Sequence, residues 1–352
     1  MFSIGPLPSA GIACWLVLSL CAAAVGEDRP SDDRKGHADQ KPQQNQAQKD
    51  QQAKIEALIR KLDDDDFQVR ETAMRELMPL VEPATEALTK AARSDSAEVR
   101  WRAQWVLEKS HEQMIIDGFR KLAEAKDDAS IDLEQGMFLI SRIVDPKASR
   151  SQIDQQLDAL AKEVRKKLAE GPAGNVAPSK ADPKAVVAAV RKVLFKDHKF
   201  IGNEDDYVNP DNSAIHRVLE TKKGLPILLS HVVVAVGRRL DVPLVGIPVP
   251  VRYMVKYDGS RAPGANEDHP GDDIYIDAYG GGNVLTITEI DEVAGGSLDP
   301  KRDLLPASHR AALLRMMSNL HSHLVRTDKA KQAELVVECQ RILAGAAGAA
   351  GE

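Results

Sequence analysis

Gly224-Leu225-Pro226-Ile227-Leu228-Leu229-Ser230-His231-Val232-Val233-Val234-Ala235-Val236-Gly237-Arg238-Arg239-Leu240 is apolar on nearly every side of a helical wheel. Pro226 suits a first helical turn, where its missing N–H costs no bond, and Gly224 ends whatever precedes it. A helix without a polar face has to be surrounded by protein. The stretch therefore predicts a central buried helix from Ile227 to Leu240, around which the rest of a domain is built.

Downstream, residues 244–248, 253–257 and 274–278 have the short, β-branched and aromatic makeup of strands, and Gly280-Gly281-Gly282 reads as a turn before Val284-Leu285. Upstream, residues 185–194 are apolar at helical spacing, and Gly202-Asn203-Glu204-Asp205-Asp206-Tyr207 reads as a loop. Pro210-Asp211-Asn212-Ser213 can then cap a helix that runs to Lys222. Pro210 to Leu240 is thus two helices in series, ahead of three strands.

Phe200-Ile201-Gly202-Asn203, Arg217-Val218-Leu219, Gly224-Leu225-Pro226, Arg238-Arg239-Leu240 and Ile276-Asp277-Ala278-Tyr279-Gly280-Gly281 occur in an order that resembles the Sir-B type family of transglutaminase-like proteins. Asp132-Leu133-Glu134 and Phe138-Leu139-Ile140-Ser141-Arg142 fit that family's helical lead-in. Leu314 to Leu320 and the helix over 330–343 resemble its tetratricopeptide-like helical pair. The resemblance implies an α+β, mostly helical chain. Its parts are a transglutaminase-like (papain-like) helix-plus-antiparallel-sheet domain over 111–300, with a flexible loop at 171–183, and a helical pair over 301–344.

Transglutaminase-type catalysis requires a thiolate at the start of the central helix, a His on one strand as base and an Asp on the next to orient it. Counting back from Leu240-Asp241-Val242-Pro243 puts the nucleophile's place at Pro226, and neither Leu225, Pro226 nor Ile227 carries one. Where relatives carry Pro-Gly-His-Phe, this chain has Pro250-Val251-Arg252-Tyr253, so Arg252 replaces the base. Asp277 keeps the third place. Ser230 and His231 are adjacent on a helix and point about 100° apart, too far to pair as nucleophile and base. Arg252 and Asp277 are expected to face each other as a structural ion pair. No catalytic residue is expected. Arg252, Tyr253, Asp277 and Tyr279 are the candidates to line a peptide groove, against the plainer role of bracing the sheet; the alternative is a hydrolase or transferase rebuilt around Asp277.

No cofactor is expected, because no phosphate-binding loop, dinucleotide fingerprint or His-Glu-x-x-His pattern occurs. The acidic run 267–273 reads as a charged hairpin tip, and His321 and His323 fall on different helical faces, which argues against a shared metal. A net charge of -6 and 4% aromatic residues suggest neither a phosphate-tracking face nor a base-stacking platform. A protein or peptide partner is the expectation that remains.

Residues 53–110 repeat at an offset of 30: Val69-Arg70 matches Val99-Arg100, Ala73 matches Ala103, Leu77 matches Leu107 and Asp65 matches Asp95. This resembles HEAT-like repeats, in which a turn Asp and the Arg of a Val-Arg pair form a ladder between neighbours. Asp63 to Asp66 reads as a repeat turn and helix cap. Trp101 and Trp105 are expected in the core.

The first 26 residues have no charged side chain and an apolar run that ends in small residues, the pattern of a signal peptide with no span left in the mature chain; the alternative is an uncleaved membrane anchor, since no Lys or Arg precedes the run. Export is the localisation this implies. Removal would leave Cys339 as the lone cysteine, an apolar filler outside the domain core. Residues 27–52 are polar enough to predict a disordered linker, and 345–352 a frayed tail.

Overall fold

Helices lead the described part of the chain, in a computed structural model that describes residues 40–171, 174–269 and 271–348. The expected signal peptide and residues 27–39 lie outside the described residues. Helix α1 (Gln40–Arg60) corrects the disordered linker from residue 40 onward, since its Gln, Lys and Ala are good helix formers. Helices α2 (Phe67–Leu77), α3 (Val81–Ala91) and α4 (Ala97–Ala123) follow. By contact, the residues up to Glu56 form one unit and those from Ala57 another. The Asp66 side chain accepts from the Gln68 N–H and the Ser96 side chain from the Val99 N–H, capping α2 and α4.

The offset of 30 recurs in hydrogen bonding. Arg70 Nη1 donates to the carbonyls of Asp64 (2.6 Å) and Asp65 (3.1 Å), and Arg100 Nη1 to those of Ser94 (2.6 Å) and Asp95 (2.8 Å). The expected Asp–Arg ladder is corrected: each guanidinium holds the loop carbonyls of its own repeat, and Arg70 Nε lies 3.2 Å from Glu98 of the next. Arg102 joins the two repeats, with Nη1 2.6 Å from Glu71 and Nε 2.8 Å from Glu98. Its guanidinium lies 5.8 Å from the Phe67 ring and 5.6 Å from the Trp101 ring. Trp101 is 54% exposed, which corrects its core placement: Val99, Ala103 and Val106 define the buried face, and Trp101 points the other way. The boundary at 110 falls inside α4, which has no proline to stop it.

Helices α5 (Leu133–Val144), α6 (Arg150–Ala169) and α7 (Pro183–Arg191) come next, and α7 continues as a π-helical turn through Asp197. Strand β1 (Ile201–Gly202) pairs in parallel with β2 (Lys223–Gly224). Between them, the helix expected from the Pro210 cap to Lys222 is split. A 3-10 turn (Pro210–Ser213) and α8 (Ile215–Thr221) meet at extended Ala214, while the Asn212 side chain donates to the carbonyls of Asp206 and Tyr207 instead of capping α8.

Helix α9 (Pro226–Arg239) is the expected central helix, with every residue from Ile227 to Gly237 buried. It packs on α6, α8 and one face of an antiparallel sheet in the order β3 (Leu244–Ile247), β4 (Met254–Tyr257), β5 (Ile274–Asp277), β6 (Asn283–Leu285). Val255 pairs with Gly246 on one side and Ile276 on the other. The short helices α10 (Ile287–Val293) and α11 (Pro300–Asp303) lead to α12 (His309–Arg326) and α13 (Ala330–Gly348), which pack together, and α13 also lies along α4. The frayed tail is corrected through Gly348, the end of α13; residues 349–352 lie outside the described residues. Cys339 is fully buried in the same core as α9, so it is not peripheral to the domain. Among the described residues no helix is long and apolar enough to cross a membrane.

Candidate functional site

Leu225 occupies the N-cap of α9 with extended backbone and offers no side-chain cap, and Pro226 follows in the first turn. Leu225 and Ile227 are each 1% exposed. The helix therefore opens on buried hydrocarbon, and none of Leu225, Pro226 and Ile227 brings a thiol or hydroxyl to the end where its dipole would activate one. Backbone bonds tie this start to the end of β5: the Asn203 N–H donates to the Gly224 carbonyl (3.3 Å) and the Gly202 N–H to the Tyr279 carbonyl (3.0 Å). Gly202 is required there, because a Cβ would lie 2.4 Å from the Tyr279 ring.

Asp277 is 5% exposed, and both its carboxylate oxygens are occupied. Arg252 Nη1 donates to Oδ2 at 3.0 Å, and the Tyr279 N–H donates to Oδ1 at 3.1 Å. The Gly282 N–H closes the turn on the Asp277 carbonyl at 2.8 Å, and a Cβ on Gly280 would come within 2.5 Å of Oδ2. The Arg252 guanidinium also lies 4.8 Å from the Tyr279 ring centre. Burial is the chief cause that raises the Tyr279 phenol above its ordinary pKa, with Glu204 and Tyr207 adding to it. The arrangement is a charge-assisted pair in which each carboxylate oxygen accepts one hydrogen bond from the protein.

Arg252 is not on a strand, since β4 begins at Met254. It sits on a bend after Val251, whose φ of 64° is left-handed and whose side chain is 82% exposed. That backbone favours glycine, the residue that relatives with Pro-Gly-His-Phe have there, and costs a β-branched side chain about 1–2 kcal/mol.

Of the four groove candidates, only Arg252 presents much surface, with 27% of its side chain exposed; Tyr279 is 7% exposed. Tyr253 is 1% exposed and turned into the core, which corrects its place in a groove. Its carbonyl accepts from Ser230 Oγ (3.1 Å), its hydroxyl lies 3.2 Å from His231 Nε2, and the Arg315 guanidinium covers its ring at 5.4 Å. Ser230 and His231 thus turn to different atoms of Tyr253 and do not meet. Burial drives the His231 imidazole down to a pKa of about 3, so it is neutral. Arg315 on α12 carried no sequence signal beyond its helical position; burial lowers its pKa, and among the described residues it has no carboxylate partner.

In the acidic run, Asp273 Oδ2 accepts from Lys256 Nζ (3.1 Å) and the Tyr275 hydroxyl (3.2 Å), and Oδ1 from the Gly259 N–H (2.9 Å). Its oxygens are spent on holding the hairpin. Among the described residues no group of three or more His, Cys, Asp or Glu could hold a metal ion. His323 is buried edge-to-face against Tyr207 at 5.7 Å, while His321 is half-buried.

Residues 151–318 match the family model of the transglutaminase-like superfamily. A UPF0162 protein of Xylella fastidiosa strain Temecula1 is 30% identical over 228 residues, which cover 62% of this chain and 73% of that protein. The Vibrio cholerae UPF0162 protein is 24% identical over 135 residues, 38% of this chain and 47% of its own length. Human F-box only protein 21 is 28% identical over 209 residues, which make 56% of this chain and 33% of that protein. No solved structure matches at a significant level. On this similarity the chain belongs to the UPF0162 protein family and carries a transglutaminase-like superfamily domain over residues 151–318.

Proposed function

We propose that this protein is a non-catalytic member of its superfamily, a binding or scaffold module for a protein or peptide. The observation that carries the reading is the joint state of the three catalytic places. Pro226 opens α9 between two buried aliphatic residues, Arg252 stands for the base, and Asp277 is engaged at both oxygens by Arg252 and the Tyr279 N–H. Covalent acyl transfer needs a nucleophile, and neither Leu225, Pro226 nor Ile227 carries one. The finer assignment is to the Sir-B type branch, with HEAT-like repeats before the domain and a tetratricopeptide-like pair after it. The recurring Arg70 and Arg100 loop bonds and the packing of α12 on α13 support it. The apolar first 26 residues support export.

On this reading a partner meets the domain at the Arg252 bend, where exposed Val251 and part of Arg252 reach solvent. The test is a screen of amide and ester substrates with the purified chain and Asp277→Ala, together with metal analysis. No turnover above background is expected from either. Turnover by the wild type that Asp277→Ala abolishes while folding is kept would instead establish the hydrolase or transferase rebuilt around Asp277.

A further inference from the structure

On the β3 side of α9 lies a cavity of 570 Å³, lined at its base by His231 and Tyr253 and towards its mouth by Arg238, Asp241, Arg261 and His309. Its size is in the range of roughly 300–1,000 Å³ typical of small-molecule sites. It is separate from the vacated catalytic places, since neither Pro226, Arg252 nor Asp277 lines it.

The base of the cavity has more hydrogen-bond donors than the protein uses. His231 is 3% exposed and Tyr253 1%. Among the described residues the one hydrogen bond made by the imidazole and the phenol is the 3.2 Å contact between them, and His231 Nδ1 has no partner. A neutral imidazole and a phenol carry two polar hydrogens between them, and a single contact uses one. If the phenol donates to Nε2, the Nδ1–H is left over; if Nε2–H donates, the phenol hydrogen is left over. Either tautomer leaves a buried donor unmatched, a cost of about 1–3 kcal/mol that a bound acceptor would remove. Gly246 fits this base, because a Cβ there would lie 2.5 Å from the Tyr253 hydroxyl.

The mouth adds charge. Arg261 is exposed and has no ion pair among the described residues, and Arg238 reaches Glu134 only at 3.9 Å, because Arg239 holds that carboxylate at 2.9 Å. His309 is fixed by Nδ1 at the Ile131 carbonyl, 2.9 Å away. Asp241 is the one carboxylate in the lining, against two guanidinium groups.

The geometry points to a binding site for a small organic anion, which sets a carboxylate or phosphate against Arg238 and Arg261 and a carbonyl or hydroxyl oxygen against the His231–Tyr253 pair. Asp241 favours anions that also carry a donor such as a hydroxyl or amine. This site does not depend on the reading of the catalytic places, and it holds whether or not the domain is an enzyme.

The test is thermal unfolding and titration calorimetry of the full chain with glutamate, citrate and glucose 6-phosphate at up to about 10 mM and constant ionic strength, against glucose and 1,2,3-propanetriol as uncharged controls. At least one anion should raise the unfolding midpoint saturably while the uncharged controls do less. Arg261→Gln should weaken that anion at least tenfold. His231→Phe keeps the shape of the site and should fold, but should weaken the same anion at least fivefold; a purely structural His231 would move the midpoint of the free protein and leave the affinity unchanged. The proposal fails if none of the three anions binds saturably, or if binding survives either substitution.

Discussion

Asp277 and His231 are both buried polar groups, yet the first has a partner at each of its side-chain polar atoms and the second does not. Asp277 takes a donor on each carboxylate oxygen, whereas His231 shares a single bond with Tyr253 and leaves Nδ1 bare. A buried group bonded at each of its polar atoms needs no further partner; an unbonded one is stable only if something offsets its desolvation. The difference teaches that the Arg252–Asp277 corner works as a brace, and that unmet hydrogen-bonding capacity lies elsewhere in the domain.

The largest effect should come from breaking the brace. Asp277→Ala strands Arg252 and the Tyr279 N–H and should cost about 2–4 kcal/mol in urea unfolding, at the low end of a broken buried pair because Arg252 is partly exposed. A loss under about 0.5 kcal/mol would mean that the carboxylate is not holding the corner together.

Acid sharpens the other side of the comparison. The His231 pKa falls to about 3 in the fold against an ordinary value of 6.5, so below the ordinary value the unfolded chain takes up a proton that the folded chain refuses. Stability should therefore fall as pH drops from about 6.5 towards 3, by up to about 1.4 kcal/mol per pH unit from this group. His231→Phe should remove that share and reduce the loss between about pH 6.5 and 4.5 by roughly 2 kcal/mol. A residual slope should persist, since burial also lowers the pKa of His111, His216 and His323. Unchanged acid sensitivity in the variant would show that His231 does not set it.

Gly280→Ala presses a Cβ onto Asp277 Oδ2, 2.5 Å away, and should cost about 2 kcal/mol if that carboxylate is as fixed as its bonds imply. An easily tolerated alanine would mean that the Asp277 turn can yield. The smallest effect should be a gain: Val251→Gly relieves the left-handed backbone before Arg252 at some entropic cost, for a net stabilisation of about 0.5–1 kcal/mol by the same unfolding measurement. Destabilisation would show that the bend is held by its own side chain.

The parts of this picture that were legible in the sequence share a strong local signal. Helix α9 has no polar face between Ile227 and Gly237, and Gly224 and Pro226 mark its start, so its burial follows from composition. The Arg252–Asp277 contact was within reach because two opposite charges stood at matching places beside adjacent strands. Tyr253 was not legible: all of β4 from Met254 to Tyr257 is buried, so alternation cannot tell which way its neighbour points. Trp101 could have been placed from the helical phase of Val99, Ala103 and Val106, a signal outweighed by the general tendency of tryptophan to be buried. The His231–Tyr253 contact joins residues 22 apart on a helix and beside a strand, and no spacing rule links them.

The most direct test of the brace is a double-mutant cycle in urea with Arg252→Ala, Asp277→Ala and the pair. The account predicts a coupling energy of about 1–3 kcal/mol between the two side chains. A coupling within about 0.3 kcal/mol of zero would contradict it and return Asp277 to the list of groups available for chemistry.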